Sequence, residues 1–276
     1  MKWDIIHRTE YQYASPVHDS FNEARLQPFS DEWQTVEHFL LKVLPATRLR
    51  HHHDFYSNVV HEFEITEPHN SLLIESQLRV TTKPRPPLGA TDSPWPLTRI
   101  GELAPEPRVF EFLQPSRFVD LSPEIWRLAL DATVGITDAW QAALALQQCV
   151  HGSLKYEPNS TTAHTHARDV LRDKRGVCQD FAHVMLGLCR SLKIPALYVS
   201  GYLASESASA THAWVEVLIP GVGWRALDPT HHRQPDETYV KIAVGRDYAD
   251  VAPVTGNYKG TTRRQMQVQV SVKPVT

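Results

Sequence analysis

The nine residues Arg175-Gly176-Val177-Cys178-Gln179-Asp180-Phe181-Ala182-His183 decide how the rest of the chain is read. They put a cysteine at a glycine turn, where a charged helix ends and an apolar helix begins. The first N–H groups of a helix lack internal partners and its dipole favours negative charge there, so a thiolate is stabilised at that position. Lys174 and Arg175 act in the same direction. A cysteine nucleophile also needs a base and a group that orients the base. Thr211-His212-Ala213-Trp214-Val215-Glu216-Val217 alternates as a strand, with His212, Trp214 and Glu216 on one face. Pro220-Gly221-Val222-Gly223 makes a turn, and Trp224-Arg225-Ala226-Leu227-Asp228-Pro229 returns as the second strand of a hairpin. Pairing about that turn brings His212 and Asp228 to one open end. A carboxylate there is expected to accept the Nδ1–H of the imidazole, leaving Nε2 for the thiol. Cys178, His212 and Asp228 thus supply nucleophile, base and orienter.

Outward from this centre the chain divides near residue 90. Before it, period-two patterns place Trp3, Ile5, His7, Thr9, Tyr11 and Tyr13 on one strand face, and Trp33, Thr35, Glu37, Phe39, Leu41 and Val43 on another. Val59, His61, Phe63 and Ile65, then Leu72, Ile74, Ser76, Leu78 and Val80, continue the series. An antiparallel β-sandwich-like domain over 1–90 follows from that spacing. Lys83-Pro84-Arg85-Pro86-Pro87 and Pro94-Trp95-Pro96 form an extended connector. In 91–276, Ser122-Pro123-Glu124 and Thr137-Asp138 start two helices, and Thr165 is expected to cap a third over Ala167–Lys174. The cysteine helix follows, buried along Phe181, Met185, Leu188 and Leu192. Strands are expected near Ala196–Tyr202, Thr211–Ile219, Trp224–Asp228 and Thr238–Val244, with a C-terminal edge strand of alternating Gln and Val over 265–272. The fold class is α+β: an N-terminal antiparallel β domain, then helices packed on an antiparallel sheet, with the C-terminal strand counted in that second domain.

Composition excludes several function classes. Hydrophobic content of 42% and charged content of 21% are those of a globular domain. The net charge of -3 gives no general attraction to nucleic acid or an anionic membrane. No apolar run approaches membrane-spanning length, and the first residues carry no apolar signal segment. Three widely spaced cysteines do not make a disulfide framework, so a cytoplasmic location is the expectation. Cys149 and Cys189 fall within helical apolar patterns and read as buried. His51-His52-His53, with His61, invite a metal, but adjacent strand residues face opposite ways, and neither a metal nor a cofactor is expected. His164 and His166 precede the cysteine helix, and His231-His232 follow Asp228 without a strand partner of their own. The Gln-rich strand at 265–269 leaves an edge through which a homodimer could form.

Gly176-Val177-Cys178-Gln179-Asp180-Phe181-Ala182, Gly201-Tyr202-Leu203, His212-Ala213-Trp214-Val215-Glu216-Val217 and Trp224-Arg225-Ala226-Leu227-Asp228-Pro229-Thr230 together resemble the bacterial transglutaminase-like superfamily. Tyr11-Gln12-Tyr13 and Glu23-Ala24-Arg25-Leu26-Gln27-Pro28 are similar to the N-terminal β domain of one subgroup, and residues 243–253 are similar to that subgroup's tail. The resemblance implies a papain-like core with a Cys-His-Asp triad. Two departures stand out: Lys193 before Ile194-Pro195 and Ser57 before Asn58, where the subgroup tends to have glycine. Acyl transfer at a peptide or carboxamide carbonyl is the expected chemistry, with a peptide or protein as substrate. Hydrolysis is favoured over transfer to an amine, as in a protein-glutamine transglutaminase; a non-catalytic papain-like binding module is the rival of a different kind. Tyr156 is a candidate side-chain donor to the oxyanion, and Gln179 is placed to face the cleft.

Overall fold

The computed structural model describes residues 1–89, 95–103, 106–204, 209–260 and 263–275. The expected division between 90 and 91, and Pro94 of the connector, lie outside the described residues.

The chain opens with β1 (Lys2–Gln27), a single strand of 26 residues. β2 (Gln34–Leu44), β3 (Arg50–His53), β4 (Val59–Ile65) and β5 (His69–Thr82) follow. The first half of β1 pairs with β5, which carries β2 on its far side. Its second half pairs with β4, which carries β3. The register along β5 breaks between Gln12 and Val17, where β1 passes from one sheet to the other. Tyr11, Tyr13, Leu26, Phe63, Leu72 and Ile74 pack between the two faces, the sandwich that the period-two patterns imply. β2 departs from its expected phase. A bulge between Val36 and His38 shifts the register, so Gln34 and Val36 turn inward before it, and Leu41 and Val43 after it. An uninterrupted period of two cannot register the extra residue.

The second region runs through α1 (Pro107–Phe110), α2 (Pro123–Ala132), α3 (Ala139–Ser153), β6 (Lys155–Tyr156), α4 (Ala167–Asp173), β7 (Arg175–Gly176) and α5 (Cys178–Ser191). It continues with β8 (Ala196–Ala204), β9 (Ser209–Ile219), β10 (Gly223–Leu227), β11 (Tyr239–Gly245) and α6 (Tyr248–Val251). The sheet is antiparallel in the order β10-β9-β8-β11. Ser122 accepts the Ile125 N–H and Asp138 the Gln141 N–H, so two helices start where their caps predict. α4 starts after His166, not Thr165, whose hydroxyl instead accepts the Thr162 N–H at 3.0 Å inside the preceding loop. α5 is buried on every side from Asp180 to Arg190. It packs on β9 and β8 beneath α2, α3 and α4, as a helix at the centre of a domain must.

The chain then returns to its beginning. β12 (Val254–Lys259) pairs with the second half of β1, and β13 (Arg264–Pro274) with the first, from Trp3 opposite Pro274 to Tyr13 opposite Arg264. This corrects the assignment of the C-terminal strand to the second region: its edge is on the N-terminal sandwich. Sequence alternation identifies a strand but not the sheet that receives it. The two regions share one core, in which Trp3, Ile5, Leu78 and Val80 pack with residues of α5, β8 and β9. Polar clamps reinforce the contact. His7 Nδ1 lies 2.8 Å from Tyr202 Oη, Asn58 exchanges two hydrogen bonds with the backbone of Val244, and the buried Lys241 ammonium is held by Glu216 and Asp31.

Candidate active site

The turn before Cys178 is built by close contacts. Lys174 ends α4 in the left-handed conformation at φ 53°. Arg175 and Gly176 then run parallel to Lys155 and Tyr156. A Cβ on Gly176 would lie 2.6 Å from the Asp180 carboxylate, so only glycine fits. Asp180, wholly buried in the first turn of α5, accepts the Val177 N–H at 2.7 Å and the Thr161 hydroxyl at 2.6 Å. Burial nevertheless raises its carboxyl above the usual range, outweighing both hydrogen bonds. Cys178 is half-buried at the first helical position, where its N–H has no partner within the helix.

The hairpin supplies the other two groups. Trp224 faces Leu218 and Leu227 faces Val215, which carries Asp228 to the end of the pair beside His212. His212 Nε2 lies 2.8 Å from Asp228 Oδ2. The Cys178 side chain is close enough to raise the His212 imidazole, and with Nε2 taken, Nδ1 is the nitrogen left for the thiol. The roles of the two ring nitrogens are therefore the reverse of those expected from the sequence. Strand alternation fixes a side chain's face but not the edge its ring presents.

Asp228 is fully buried and heavily bound. Oδ2 accepts from His212, from His231 Nδ1 at 2.8 Å and from the Tyr239 hydroxyl at 2.7 Å. Oδ1 accepts the N–H groups of Thr230 at 2.9 Å and His231 at 3.2 Å. Burial alone would raise this carboxyl, but hydrogen bonds from His212 and His231, with the His212 charge and Tyr239, hold it far below the usual carboxylate range. Burial likewise opposes an imidazolium, yet the hydrogen bond to Asp228, the neighbouring Cys178 side chain and the charges of both raise His212 to about 9. Behind the carboxylate, Gln147 of α3 donates to the carbonyls of Asp228 and Arg233, both at 2.9 Å. Gly201 backs the other side: a Cβ there would meet the Val240 carbonyl oxygen and, at 2.5 Å, the ring of Trp214. That ring stacks on His212 with centroids 6.3 Å apart.

Tyr156 stands beside Gly176 in the β6–β7 pair, 52% exposed, its ring 6.3 Å from that of Phe181. Partial burial and the charge of Cys178 both raise its phenol, so it shares the thiol's neighbourhood. Gln179 donates its side-chain amide to Ala163 O at 3.2 Å, tying α5 to the loop before α4. His164 and His166 pack on Phe118, with centroids 6.0 and 5.8 Å away. His51, His52 and His53 are exposed on β3. Among the described residues, His212, Asp228 and His231 form a group close enough to hold a metal. Their separations of 2.8 Å are hydrogen-bond lengths to one carboxylate oxygen. Cys189 is buried as expected, but Cys149 is only half-buried. Tyr239, Gln147 and Thr161 have no sequence signal that would have brought them to the site.

The sequence profile of the transglutaminase-like superfamily matches residues 127–229, and that of the bacterial transglutaminase-like N-terminal region matches residues 3–81. An uncharacterized protein of Mycobacterium leprae is 35% identical over 97% of each chain. The chain belongs to the transglutaminase-like superfamily and carries its bacterial N-terminal region. Its fold is that of the papain-like cysteine enzymes. A candidate cysteine protease from Cytophaga hutchinsonii superposes on 100% of this chain and 92% of its own, with a TM-score of 0.79 and 25% identity. A protein-glutamine gamma-glutamyltransferase of Pseudomonas aeruginosa is 35% identical over 107 residues, 34% of this chain and 16% of that protein.

Proposed function

We propose that this protein is a cysteine-dependent acyl-transfer enzyme that hydrolyses a peptide or carboxamide bond through a Cys178 thioester. The observation that carries this reading is the gathering of thiol, imidazole and carboxylate: Cys178 opens α5 close to His212, which is hydrogen-bonded to the buried Asp228. The Cys178 thiolate attacks the carbonyl carbon, and the oxygen takes the displaced electron pair. The Cys178 N–H meets that oxyanion, with the Tyr156 hydroxyl as the side-chain donor. His212 gives its Nδ1 proton to the departing nitrogen as the C–N bond breaks. Water then loses a proton to Nδ1 and attacks the thioester, releasing a carboxylic acid and the thiolate. A peptide or protein is the substrate class.

An amine in place of water would make the same site a transglutaminase, and the local match to a gamma-glutamyltransferase favours keeping that reading. A peptide and amide library, assayed with and without a primary amine, separates the two acceptors. Iodoacetamide labelling tests the shared chemistry, with half-buried Cys149 and buried Cys189, whose thiol burial pushes up to about 12, as internal references. Cys178 is expected to alkylate faster than either of them, and His212→Ala to abolish the selectivity. Hydrolysis is expected to fall as pH rises through about 9, where His212 loses the proton needed by the leaving amine. Uniform slow labelling of all three cysteines would instead favour a non-catalytic binding module.

A further inference from the structure

The carboxylate that orients His212 serves a second imidazole. We infer that His231 is a positioning residue for the Cys178–His212 pair, acting through Asp228, and that by sharing one carboxylate oxygen it limits how strongly His212 holds its proton. The inference rests on the acyl-transfer reading of the site. His231 Nδ1 and His212 Nε2 both lie 2.8 Å from Asp228 Oδ2. An ionised carboxylate only accepts hydrogen bonds, so each of these nitrogens carries the hydrogen and His231 is a donor in either charge state. Its backbone N–H also reaches Oδ1, at 3.2 Å, so the residue grips both oxygens.

The two rings sit side by side, 5.0 Å apart at their centroids. His212 is buried, whereas the His231 side chain is 45% exposed. One ring is therefore enclosed near the thiol and the other reaches solvent, and both meet the same Asp228 oxygen. The remaining polar neighbours are few. Cys178 on α5 neighbours His212, and Tyr239 on β11 donates to Asp228. Arg233 donates to the Tyr239 hydroxyl at 2.7 Å. His232, next in the turn, stacks on His151 of α3 with centroids 5.3 Å apart.

A carboxylate charge satisfied by several donors binds each of them less tightly than one satisfied by few. Removing the His231 donor concentrates the Asp228 charge on His212 and makes that imidazole more basic. A residue that merely filled space would not move that midpoint.

The test follows the His212 imidazole resonance against pH by NMR in the full chain, in wild type and in H231A, H231L and H231N. The first two lack the donor, and asparagine restores an N–H close to the Nδ1 position. H231A and H231L are expected to raise the His212 midpoint by about one pH unit, the size of one charge-assisted hydrogen bond, and H231N to return it toward wild type. Midpoints within about 0.3 pH unit of wild type in both donor-free variants would overturn the inference, as would a shift in H231N as large as theirs. Folding of H231N alone among the three would also overturn it, making the contact purely architectural. Cys178 labelling in the same wild-type sample keeps the outcomes apart. Loss of selective alkylation there counts against the enzyme reading, while the His212 midpoints still decide the role of His231.

Discussion

Lys193 and Ser57 hold φ angles of 63° and 66°, in the left-handed region where a Cβ costs about 1–2 kcal/mol. These are the two positions at which the chain departs from glycine in the motifs it otherwise follows. Lys193→Gly and Ser57→Gly are each expected to stabilise the protein by roughly 0.5–1 kcal/mol, because the relieved strain exceeds the freedom glycine adds to the unfolded chain. Urea denaturation checks this, and a loss of stability in both would show that the backbone has relaxed around the side chains. Such positions were legible in the sequence because a missing glycine is a local signal. The ring nitrogen that His212 turns to Asp228 was not legible, since it depends on side-chain torsions and on the distance between elements.

At the level of elements, the start of α5 depends on one carboxylate. Asp180→Ala would leave the Val177 N–H and the Thr161 hydroxyl without their acceptor, at a cost of about 2–3 kcal/mol for two partners in a mostly buried setting. It would also free the loop that carries Thr161 from the helix that carries Cys178. A fall in thermal stability together with slower Cys178 alkylation is the expected result; unchanged alkylation would mean that Gly176 alone sets the turn. The helix starts at Ser122 and Asp138 and the β9–β10 hairpin were readable, because each rests on contacts within a few residues. Asp180 was readable only as a charge near a helix start. Its bond to Thr161 joins distant residues, and no period or cap announces it.

Across the whole molecule, the junction between sandwich and papain-like region contains a histidine folded in the neutral form. Burial holds His7 down at about 4. The unfolded chain takes up a proton near pH 6.5 that the folded protein refuses, so this contribution is fully present above that pH and is lost as pH falls toward 4, amounting to about 3 kcal/mol at the lower end. Stability is therefore expected to drop over that range, and less steeply in His7→Gln. Equal pH dependence in the two proteins would remove His7 from the account. At this scale the sequence was least informative. It placed β13 as an edge strand but attached it to the wrong region, because pairing between Trp3 and Pro274 leaves no trace in local pattern.

That pairing also orders events in time. β1 is flanked by β5 and β13 along its first half and by β4 and β12 along its second. β1 therefore waits for residues 254–274, far along the chain, to complete its neighbours. Closing so long a loop is slow and leaves a strand edge bare in the meantime. The thiol at residue 178 is made well before the sandwich that braces its domain is closed. During synthesis, the open edge of β1 is a longer stretch to shield than the turn that holds Cys178.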